Sequence, residues 1–559
     1  MSVTRRIVRR AAAQPAGEWP AHWPAVLRRV HAARGSDATT AMPRLADLLP
    51  FHALTGMDAA VELLQAAIQR DAHVLVVGDF DCDGATACAV GVRGLRMLGA
   101  NRVSHAVPNR IAHGYGLTPG LVAELAGLKP DLLVTVDHGI ACHAGIAAAK
   151  QLGWQVLVTD HHLPGPTLPP ADAIVNPNQP GDTFPSKALA GVGVMFYVLL
   201  ALRAKLGVQA DLASLLDLVA VGTVADMVAL DANNRALVGA GLRRLRAGQA
   251  CAGLKALIDV AGRRQDTLGT TDIGFAIGPR INAAGRLEDM SIGIECLLTD
   301  DATQARELAA ILQGINEERR ALQADMQDVA DARLDGIDAT HAACLFDPDW
   351  HPGVVGLVAS KLKERLHRPA IAFAPAEPGS TVLRGSARSI PGFHIRDALA
   401  LVDARHPGLI TRFGGHAMAA GLSLDRAAFP VFREAFTQVA AALLSAELLT
   451  EDLRSDGSLQ PEELHIQTAL ALRDGGHWGQ GYPEPLFDDA FEVLNWRVVG
   501  ERHLKLELGL AGRRFNAIQF GGWDGKTPPP RIHLAYRITP DDWRGDDAIQ
   551  LVVVHRQAT

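Results

Sequence analysis

The chain has 559 residues, of which 48% are hydrophobic and 21% are charged, and its formal net charge is -7. This length allows about three or four domains, and the composition is typical of a soluble globular protein. The acidic balance excludes a globally basic surface, so a nucleic-acid partner would need a local basic channel. The six cysteines lack CxxC spacing, which argues against a zinc ribbon or a disulfide framework and fits a reducing cytosol.

No segment of the sequence predicts a membrane anchor. The longest apolar run, residues 188–202, has 15 residues, which is short for a spanning helix and predicts a buried core helix. Residues 1–50 are rich in arginine, alanine and proline, and no apolar region of the kind found in signal peptides follows the arginines. We therefore expect a cytoplasmic protein without membrane contact, whose residues 1–50 form an extension with one or two helices.

Residues 51–300 alternate between apolar strands and helices. Repeated βα units predict a parallel sheet covered by helices on both faces, and ligands bind such sheets beyond the carboxyl ends of the strands. The predicted strands lie at 74–77, 103–107, 132–136, 156–158 and 173–175, and the predicted helices at 85–98, 119–126 and 142–152.

Three aspartates follow the first strand at alternate positions, Asp79, Asp81 and Asp83. In an extended chain, residues two apart point to the same side and lie about 6.6 Å apart. Three carboxylates on one face repel one another, and a divalent cation with oxygen ligands is the simplest compensation. A solvated acidic turn is the alternative that this motif leaves open.

The later strands of this sheet also end in polar motifs. The second strand runs into PNRIAHGYG at 108–116, the third into VDHG with Asp137, and the fourth into TDHH with His161 and His162. Aspartate and histidine at a single strand end are often turn formers or caps. Their repetition at successive strand ends predicts one ligand-binding rim.

Two further segments of this half carry charge in unusual surroundings. Asp226 lies in the apolar run VAVGTVADMVAL, where a buried acid is costly unless it is paired or bound to a metal. A cap or turn role is the alternative for Asp226. Residues 278–286, GPRINAAGR, predict a Gly/Asn-rich loop in which Arg280 and Arg286 are suited to holding phosphate.

Residues 301–340 predict one long connector helix, because Leu308, Ile315, Leu322 and Val329 recur every seven residues. The same apolar stripe is filled by Ile311, Leu312 and Met326. The stripe is too short to indicate a coiled coil. We expect this helix to pack along a domain.

A second, smaller α/β domain is predicted at 341–450. Its segments LRGSARS and RFGGHAMAAG place small residues beside Arg388 and His416. Small residues allow the backbone to approach a ligand closely. Gly-rich turns with a structural histidine are the alternative for either segment.

Residues 455–559 predict five short strands separated by turns, at 491–499, 503–510, 516–520, 532–538 and 549–555. Five such strands fit a small barrel of the OB-fold type. Aromatic and basic side chains are interleaved there, which suits stacking on bases combined with phosphate contacts. We expect one or two of the aromatic residues on a binding face and the rest in the core. These residues are Trp496, Phe515, Trp523, Tyr536 and Trp543, with Arg497, Arg502, Lys505, Arg513 and Arg514.

In this order, the motifs DFDCDG, PNRIAHGYG, VDHG, TDHH and GTVADM resemble those of the DHH phosphoesterase family. WHPGVVG, GSARS and FGGHAMAAG resemble the motifs of its DHHA1 domain. The resemblance covers about residues 50–559 and implies an α/β fold. A parallel-sheet DHH domain (51–300) would be joined by the long helix to a smaller α/β DHHA1 domain (341–450), followed by a C-terminal OB-fold β-barrel. His113 stands where an acidic residue is commoner in relatives, and we assign it no role.

The resemblance implies a site with two divalent cations, Mn²⁺ or Mg²⁺. Asp137 would bridge the ions, and His162 would face the scissile phosphate. Arg280 would also hold phosphate, and His416 would close over the nucleotide from the second domain. The implied metal ligands are Asp79, Asp81, Asp83, Asp137, His161 and Asp226, and the implied catalytic residues are Asp81, Asp83, Asp137, His161 and His162. The implied pocket for a 5′-terminal phosphate consists of Arg110, Ser386 and Arg388.

With its OB-like domain, the chain resembles the family's single-strand-specific exonucleases. The implied function is metal-dependent degradation of single-stranded DNA from 5′ to 3′ to mononucleotides, in recombination and repair. The alternatives are a phosphodiesterase of short oligoribonucleotides or cyclic dinucleotides, and a binding protein that has lost its metals. The implied partners are single-stranded DNA, a single-strand binding protein and a DNA helicase, and we expect a monomer.

Overall fold

The computed structural model describes residues 5–15, 17–109, 115–334, 339–541, 545 and 547–558. Within them, the strands are β1 Arg5–Arg9, β2 Val74–Val77, β3 Val103–Ala106, β4 Leu132–Val136, β5 Gln155–Thr159, β6 Ala173–Val175, β7 Ala343–Phe346, β8 Ala370–Pro375, β9 Val382–Arg388, β10 Arg412–Gly415, β11 Ala419–Asp425, β12 Glu451–Ser455, β13 Phe487–Val499, β14 His503–Leu510, β15 Arg513–Gln519, β16 Arg531–Pro540 and β17 Ile549–Ala558.

The helices of the same residues are α1 Ala25–Ala32, α2 Ala38–Ala41, α3 Met57–Gln69, α4 Cys82–Met97, α5 Pro119–Leu125, α6 His143–Gln151, α7 Gly191–Leu206, α8 Leu216–Ala225, α9 Ala232–Arg246, α10 Ala252–Val260, α11 Thr270–Asp272, α12 Gly278–Leu287, α13 Ser291–Leu298, α14 Ala302–Leu334, α15 Val355–Leu366, α16 Ile395–Arg405, α17 Phe429–Leu443 and α18 Ile466–Asp474. A π-helical turn, Ile273–Ile277, lies between α11 and α12. None of these helices is both long and apolar enough to cross a membrane.

The first sheet is parallel, with the strand order β3-β2-β4-β5-β6. Its central strands are buried on both faces: Leu75 and Val77 pack with α5 and α6, whereas Val74 and Val76 pack with α4 and α7. Burial of each such side chain contributes about 1.5–3 kcal/mol. This double burial explains why the strands read as continuous apolar runs, and it leaves the carboxyl ends of the strands to carry the polar motifs.

The acidic motif after β2 is not an extended strand, and that part of the prediction is wrong. Asp79 lies in the loop after β2, Asp81 is the N-cap of α4, and Asp83 is in the first turn of α4. The Asp81 carboxylate accepts a hydrogen bond from the Gly84 amide at 3.0 Å, as aspartate does at helix N-termini. Helix α4 therefore begins at Cys82, three residues before the predicted start at 85.

The segment 278–286 is a helix, α12, and not the predicted loop. Its glycines serve close packing, because a Cβ atom at Gly278 would lie 3.1 Å from the Ala225 Cβ. The predicted connector helix is a single helix of 33 residues, α14. Its predicted apolar stripe is partly wrong, since Ile311 and Val329 are 49% and 39% exposed. The buried face of α14 is formed by Ala305, Ala309, Leu312, Ile315, Asn316, Met326 and Ala330.

The second α/β unit has the strand order β10-β11-β9-β8-β7. The LRGSARS segment forms strand β9, and RFGGHAMAAG forms the hairpin of β10 and β11 with His416 in its turn. Strands β13 to β17 close into a barrel in the order β13-β14-β15-β17-β16. These findings confirm the predicted fold class, an α/β protein with a C-terminal OB-fold barrel.

The barrel aromatics divide between core and surface. Phe515 and Tyr536 are buried, whereas Trp496 and Trp523 stack on each other at 5.3 Å and are partly exposed. Trp543 lies outside the described residues. The Trp496–Trp523 pair is therefore the aromatic surface that remains for base stacking among the described residues of the predicted set.

The N-terminal extension is built into the fold. Strand β1 pairs in parallel with β12, and the Arg34 guanidinium forms a buried ion pair with Asp456 at 2.6 Å. His31 donates or accepts a hydrogen bond with the Tyr482 hydroxyl at 2.7 Å. Residues before the first sheet therefore help to hold the segment that precedes the barrel.

Candidate active site

Seven acids and imidazoles from four separate segments converge beyond the carboxyl ends of the parallel strands. In each of three overlapping groups, the potential ligand atoms all lie within 4.8 Å of one another. The groups are Asp79, Asp81 and Asp137; Asp83, His161 and Asp226; and Asp137, His161 and His162. The structure therefore brings together all six predicted metal ligands and adds His162 to them.

Asp137 occupies a backbone conformation that is unusual for a residue other than glycine. Its φ angle is +63°, which costs about 1–3 kcal/mol unless surrounding contacts enforce it. The Asp137 amide donates to the Thr159 carbonyl at 3.0 Å, which ties the end of β4 to β5. A Cβ atom at Gly191 would lie 2.5 Å from Asp137 Oδ1, so only glycine lets α7 begin against this carboxylate.

The same helix start holds Asp83. The amides of Gly191 and Val192 donate to the two Asp83 carboxylate oxygens at 2.6 and 3.0 Å. The first amides of a helix and its dipole favour a negative charge at this position. A Cβ atom at Gly222 would lie 2.8 Å from Asp83 Oδ1. Asp83 is thus held from two helices, and its orientation is set before any ligand binds.

The cluster contains buried polar atoms that lack hydrogen-bond partners. Asp137 Oδ1, His161 Nε2 and Asp226 Oδ2 are buried without one, although His161 Nε2 lies 3.1 Å from Asp137 Oδ1 and 3.6 Å from Asp226 Oδ2. Unsatisfied buried polar atoms are rare and costly. A cation between these atoms would satisfy all three.

Burial and mutual repulsion also disfavour charge on these acids. Burial and then the charge of Asp226 raise the pKa of Asp83 to about 7. Burial and then the charge of Asp81 raise the pKa of Asp226 to about 7, and burial and then Asp83 raise the pKa of Asp137 well above its usual value. Divalent cations would reverse this balance, and oxygen ligands with imidazole suit Mn²⁺ or Mg²⁺.

The two adjacent histidines have different environments. His162 Nδ1 donates to Asp160 Oδ1 at 2.8 Å. Burial opposes the charge of His162, but this hydrogen bond and the charge of Asp160 outweigh burial and raise the pKa of His162 to about 9. Burial and then the cation of His162 lower the pKa of His161. His161 is therefore neutral at physiological pH, and His162 is a cation.

Asp160 and Tyr115 belong to the site although the sequence assigned them no role. Asp160 is buried and also accepts hydrogen bonds from the backbone amides of Ile140 and His161. The Tyr115 hydroxyl lies 3.4 Å from His162 Nε2. The TDHH motif contains Asp160, but the hydrogen bond between Asp160 and His162 is visible only in the structure.

The second domain reaches the site through His416. Its ring stacks on that of His162, with centroids 6.1 Å apart and planes inclined by 22°. His416 lies in the turn between β10 and β11. The second domain therefore contacts the cluster through His416.

Ser386 and Arg388 form a polar corner in the second domain. The Arg388 guanidinium donates to Ser386 Oγ at 2.9 Å. A Cβ atom at Gly356, in the first turn of α15, would lie 2.9 Å from Arg388 Nη2 and 3.0 Å from Ser386 Oγ. A cation, a hydroxyl and a helix N-terminus at one point suit an anion.

The remaining predicted phosphate ligands are less closely tied to this corner. Arg280 donates to the Gln313 side chain at 2.7 Å and to the Ala276 carbonyl at 2.6 Å, which anchors it to α14. Arg110 lies outside the described residues, as does His113.

Comparison with known protein families gives three matches in succession along the chain. The chain matches the models for the DHH family, N-terminal domain, over residues 73–223, the DHHA1 domain over residues 338–442 and the RecJ OB domain over residues 455–555. It is 46% identical to "Single-stranded-DNA-specific exonuclease RecJ" of Dickeya dadantii, with 99% of each chain covered. It is 45% identical to the protein of the same name from Escherichia coli, with 98% of each covered.

Solved structures are similar over most of the chain. The crystal structure of RecJ from Thermus thermophilus in complex with Mn²⁺ has a TM-score of 0.82 and 32% identity, covering 96% of this chain and 76% of that one. The Mg²⁺ complex from the same organism has a TM-score of 0.76 and 30% identity, with coverage of 96% and 74%.

Proposed function

The chain belongs to the RecJ family of single-stranded-DNA-specific exonucleases, and from this membership we propose that it hydrolyses single-stranded DNA from the 5′ end to mononucleotides. The observation that carries the proposal is the convergence of buried, unpartnered ligand atoms from Asp137, His161 and Asp226. Burying these atoms without partners costs free energy in the absence of cations, whereas bound cations would pair with them.

The metal centre would be held by Asp79, Asp81, Asp83, Asp137, His161 and Asp226. When bound there, two divalent ions, Mn²⁺ or Mg²⁺, would supply a hydroxide near neutral pH and would neutralise charge on the attacking and leaving oxygens. Asp83 contributes a carboxylate whose orientation is set by the α7 amides. Asp137 contributes one that belongs to two of the three ligand groups, which suits it to bridge two ions.

His162 would act on the scissile phosphate. Asp160 holds His162 Nδ1, so the Nε2–H bond of the imidazolium is directed into the site and can donate to a phosphate oxygen. His416 stacks on the same ring from the second domain. His416 would therefore lie over the nucleotide that is bound at the cluster.

Polarity would be set away from the metals. Ser386 and Arg388, with Arg110, would bind a 5′-terminal phosphate at the start of α15, and Arg280 would hold a further phosphate. A terminal phosphate carries more negative charge than an internal one, and a guanidinium with a helix N-terminus favours it. The Trp496–Trp523 pair on the barrel would stack on bases farther along the strand.

The test is digestion of 5′- and 3′-labelled single-stranded and duplex DNA in the presence of Mn²⁺, Mg²⁺ or a chelator. We expect mononucleotide release from the 5′ end of single strands only, with either metal and not with chelator. Faster turnover of a dinucleotide than of a long strand would instead support a phosphodiesterase of short oligoribonucleotides.

The cellular setting follows from the same proposal. A single-strand exonuclease acts after a helicase has exposed a strand and beside a single-strand binding protein, in recombination and repair. We propose that this chain works as a cytoplasmic monomer with such partners. Its described cysteines are all free thiols, in keeping with a reducing compartment.

A further inference from the structure

The most exposed large apolar side chain of the described residues lies in a turn that packs against the helix leading to Asp226. Phe275 is 80% exposed and sits in the π-helical turn Ile273–Ile277. Its neighbours Ile273, Ala276 and Ile277 are buried, so the extra residue of the π turn directs Phe275 into solvent. Single π turns occur frequently at functional sites.

This turn packs against the end of α8, which leads into the metal cluster. A Cβ atom at Gly274 would lie 3.8 Å from the Val224 side chain, and one at Gly278 would lie 3.1 Å from Ala225. The two residues that follow are Asp226, a predicted metal ligand, and Met227. Met227 is 69% exposed and has a φ angle of +63°. Two exposed apolar side chains therefore flank the segment that carries Asp226, one on the packed π turn and one next to Asp226 in the chain.

Positive charge adjoins this apolar surface. The Arg280 guanidinium donates to the Ala276 carbonyl of the π turn at 2.6 Å. Burial, and then the cations of Arg263 and Arg320, lower the pKa of Arg280, against the opposing charge of Glu317. Arg263 lies 3.5 Å from Asp272. With three arginines against two acids, the surface favours a polyanion.

We propose that Phe275 and Met227 form a stacking surface for a nucleobase of the bound strand, beyond the two nucleotides that the scissile phosphate joins, with Arg280 on the adjoining phosphate. This proposal rests on the proposed exonuclease function. An exposed phenyl ring and a thioether can contact any base through its π face, which suits an enzyme that must advance along any sequence.

The substitution Phe275→Ala tests the proposal, with Leu152→Ala as the matched control. Leu152 is 50% exposed but precedes β5, at the opposite edge of the sheet from the metal cluster. On a long 5′-phosphorylated single strand we expect Phe275→Ala to raise KM about tenfold, the effect of losing one base–aromatic stack. Phe275→Trp should retain the wild-type KM, and Leu152→Ala should not change it.

A dinucleotide substrate separates this proposal from the exonuclease function. It is too short to reach the surface, so Phe275→Ala should leave its hydrolysis unchanged. A single abasic site moved along the long strand should weaken wild-type binding at one position, and Phe275→Ala should remove that dependence. If wild type digests the long strand and Phe275→Ala behaves like Leu152→Ala, the stacking surface is wrong while the exonuclease function stands. An equal loss on the dinucleotide would also overturn it, whereas an inactive wild type would reject the exonuclease itself.

Discussion

His162 Nδ1 donates a hydrogen bond to Asp160 Oδ1 at 2.8 Å, and this bond divides the roles of the two adjacent histidines. It keeps His162 cationic, with a pKa raised to about 9. His161 is left neutral and free to bind a metal through Nε2. Asp160 is not one of the predicted metal ligands, yet its buried carboxylate sets the charge of His162 and thereby favours the neutral state of His161.

Asp160→Asn should separate these roles experimentally. Asparagine still accepts hydrogen bonds from the backbone amides but lacks the charge that raises the pKa of His162. The imidazolium is present below its pKa, so in the variant it should be lost as pH rises through about 6.5 rather than about 9. We expect kcat to fall about 10- to 100-fold near pH 8, with the alkaline limb of the pH profile shifted downward. An unchanged limb would remove Asp160 from the mechanism.

Metal binding should depend on pH through the acids of the cluster. The raised pKa values of Asp83 and Asp226, both about 7, mean that these groups bind protons more tightly in the folded protein than in the unfolded chain. Without metal, folding stability should therefore fall as pH rises from about 4 to about 7. Mn²⁺ should counter this loss and release protons on binding.

Thermal unfolding with chelator and with Mn²⁺, at a series of pH values across this window, checks that sign. We expect the stabilisation by Mn²⁺ to grow with pH. Calorimetric titration in buffers of different ionisation enthalpy would measure the released protons. Stabilisation that is independent of pH, with no proton release, would contradict the assignment of these acids as ligands.

Gly191→Ala should disable the cluster without touching a ligand. The new Cβ atom would lie 2.5 Å from Asp137 Oδ1, so the carboxylate or the start of α7 must shift. A misplacement of about 1 Å can cost about 100-fold in rate. We expect a loss of that order in kcat, with weaker Mn²⁺ binding measured by calorimetry.

Gly193→Ala is the control in the same helix. Its Cβ atom would meet side-chain atoms of Leu189, Cδ1 at 2.6 Å and Cγ at 3.1 Å, and Leu237 Cδ1 at 3.9 Å, and none of the ligand residues. This variant should keep most of its activity. Equal activity of both variants would show that the close approach of α7 to Asp137 does not position the ligand.

Arg388→Ala should reduce the preference for a 5′-terminal phosphate. Arg388 meets Ser386 Oγ and the start of α15 at one point, and loss of a charged hydrogen bond costs about 1.5–3 kcal/mol. We expect the ratio of kcat/KM for 5′-phosphorylated over 5′-hydroxyl strands to fall about 10- to 100-fold. Arg384→Ala, four residues earlier in β9, is the control. If the ratio does not change in Arg388→Ala, the pocket lies elsewhere.

Much of the site could be predicted because the ends of the buried strands can be identified from the sequence. Continuous apolar runs marked β2 and β4 correctly, and the parallel sheet brought their following acids to one edge. The predicted convergence of Asp79, Asp81 and Asp83 holds although its geometry was wrong. The N-cap and the first turn of α4 bring the carboxylates close together, as an extended strand would also have done.

Other features depended on tertiary contacts that no local pattern reveals. The glycines of α12 resembled a loop, but Gly278 allows the close approach of α8 at Ala225, and Gly285 allows that of the Phe80 backbone. Ile311 and Val329 fitted an apolar stripe, but small alanines form much of the buried face of α14. Asp160 acts through His162, so its role could be recognised only once the two side chains were seen in contact.

The most direct measurement of the central claim is Mn²⁺ binding and single-strand hydrolysis by Asp137→Ala beside wild type. Wild type should bind Mn²⁺ with a stoichiometry of about two ions per chain and release 5′ nucleotides from a single strand. Asp137→Ala, which lacks the carboxylate common to two of the three ligand groups, should lose hydrolysis and at least one ion while remaining folded by circular dichroism. Full hydrolysis by pure Asp137→Ala would contradict the account.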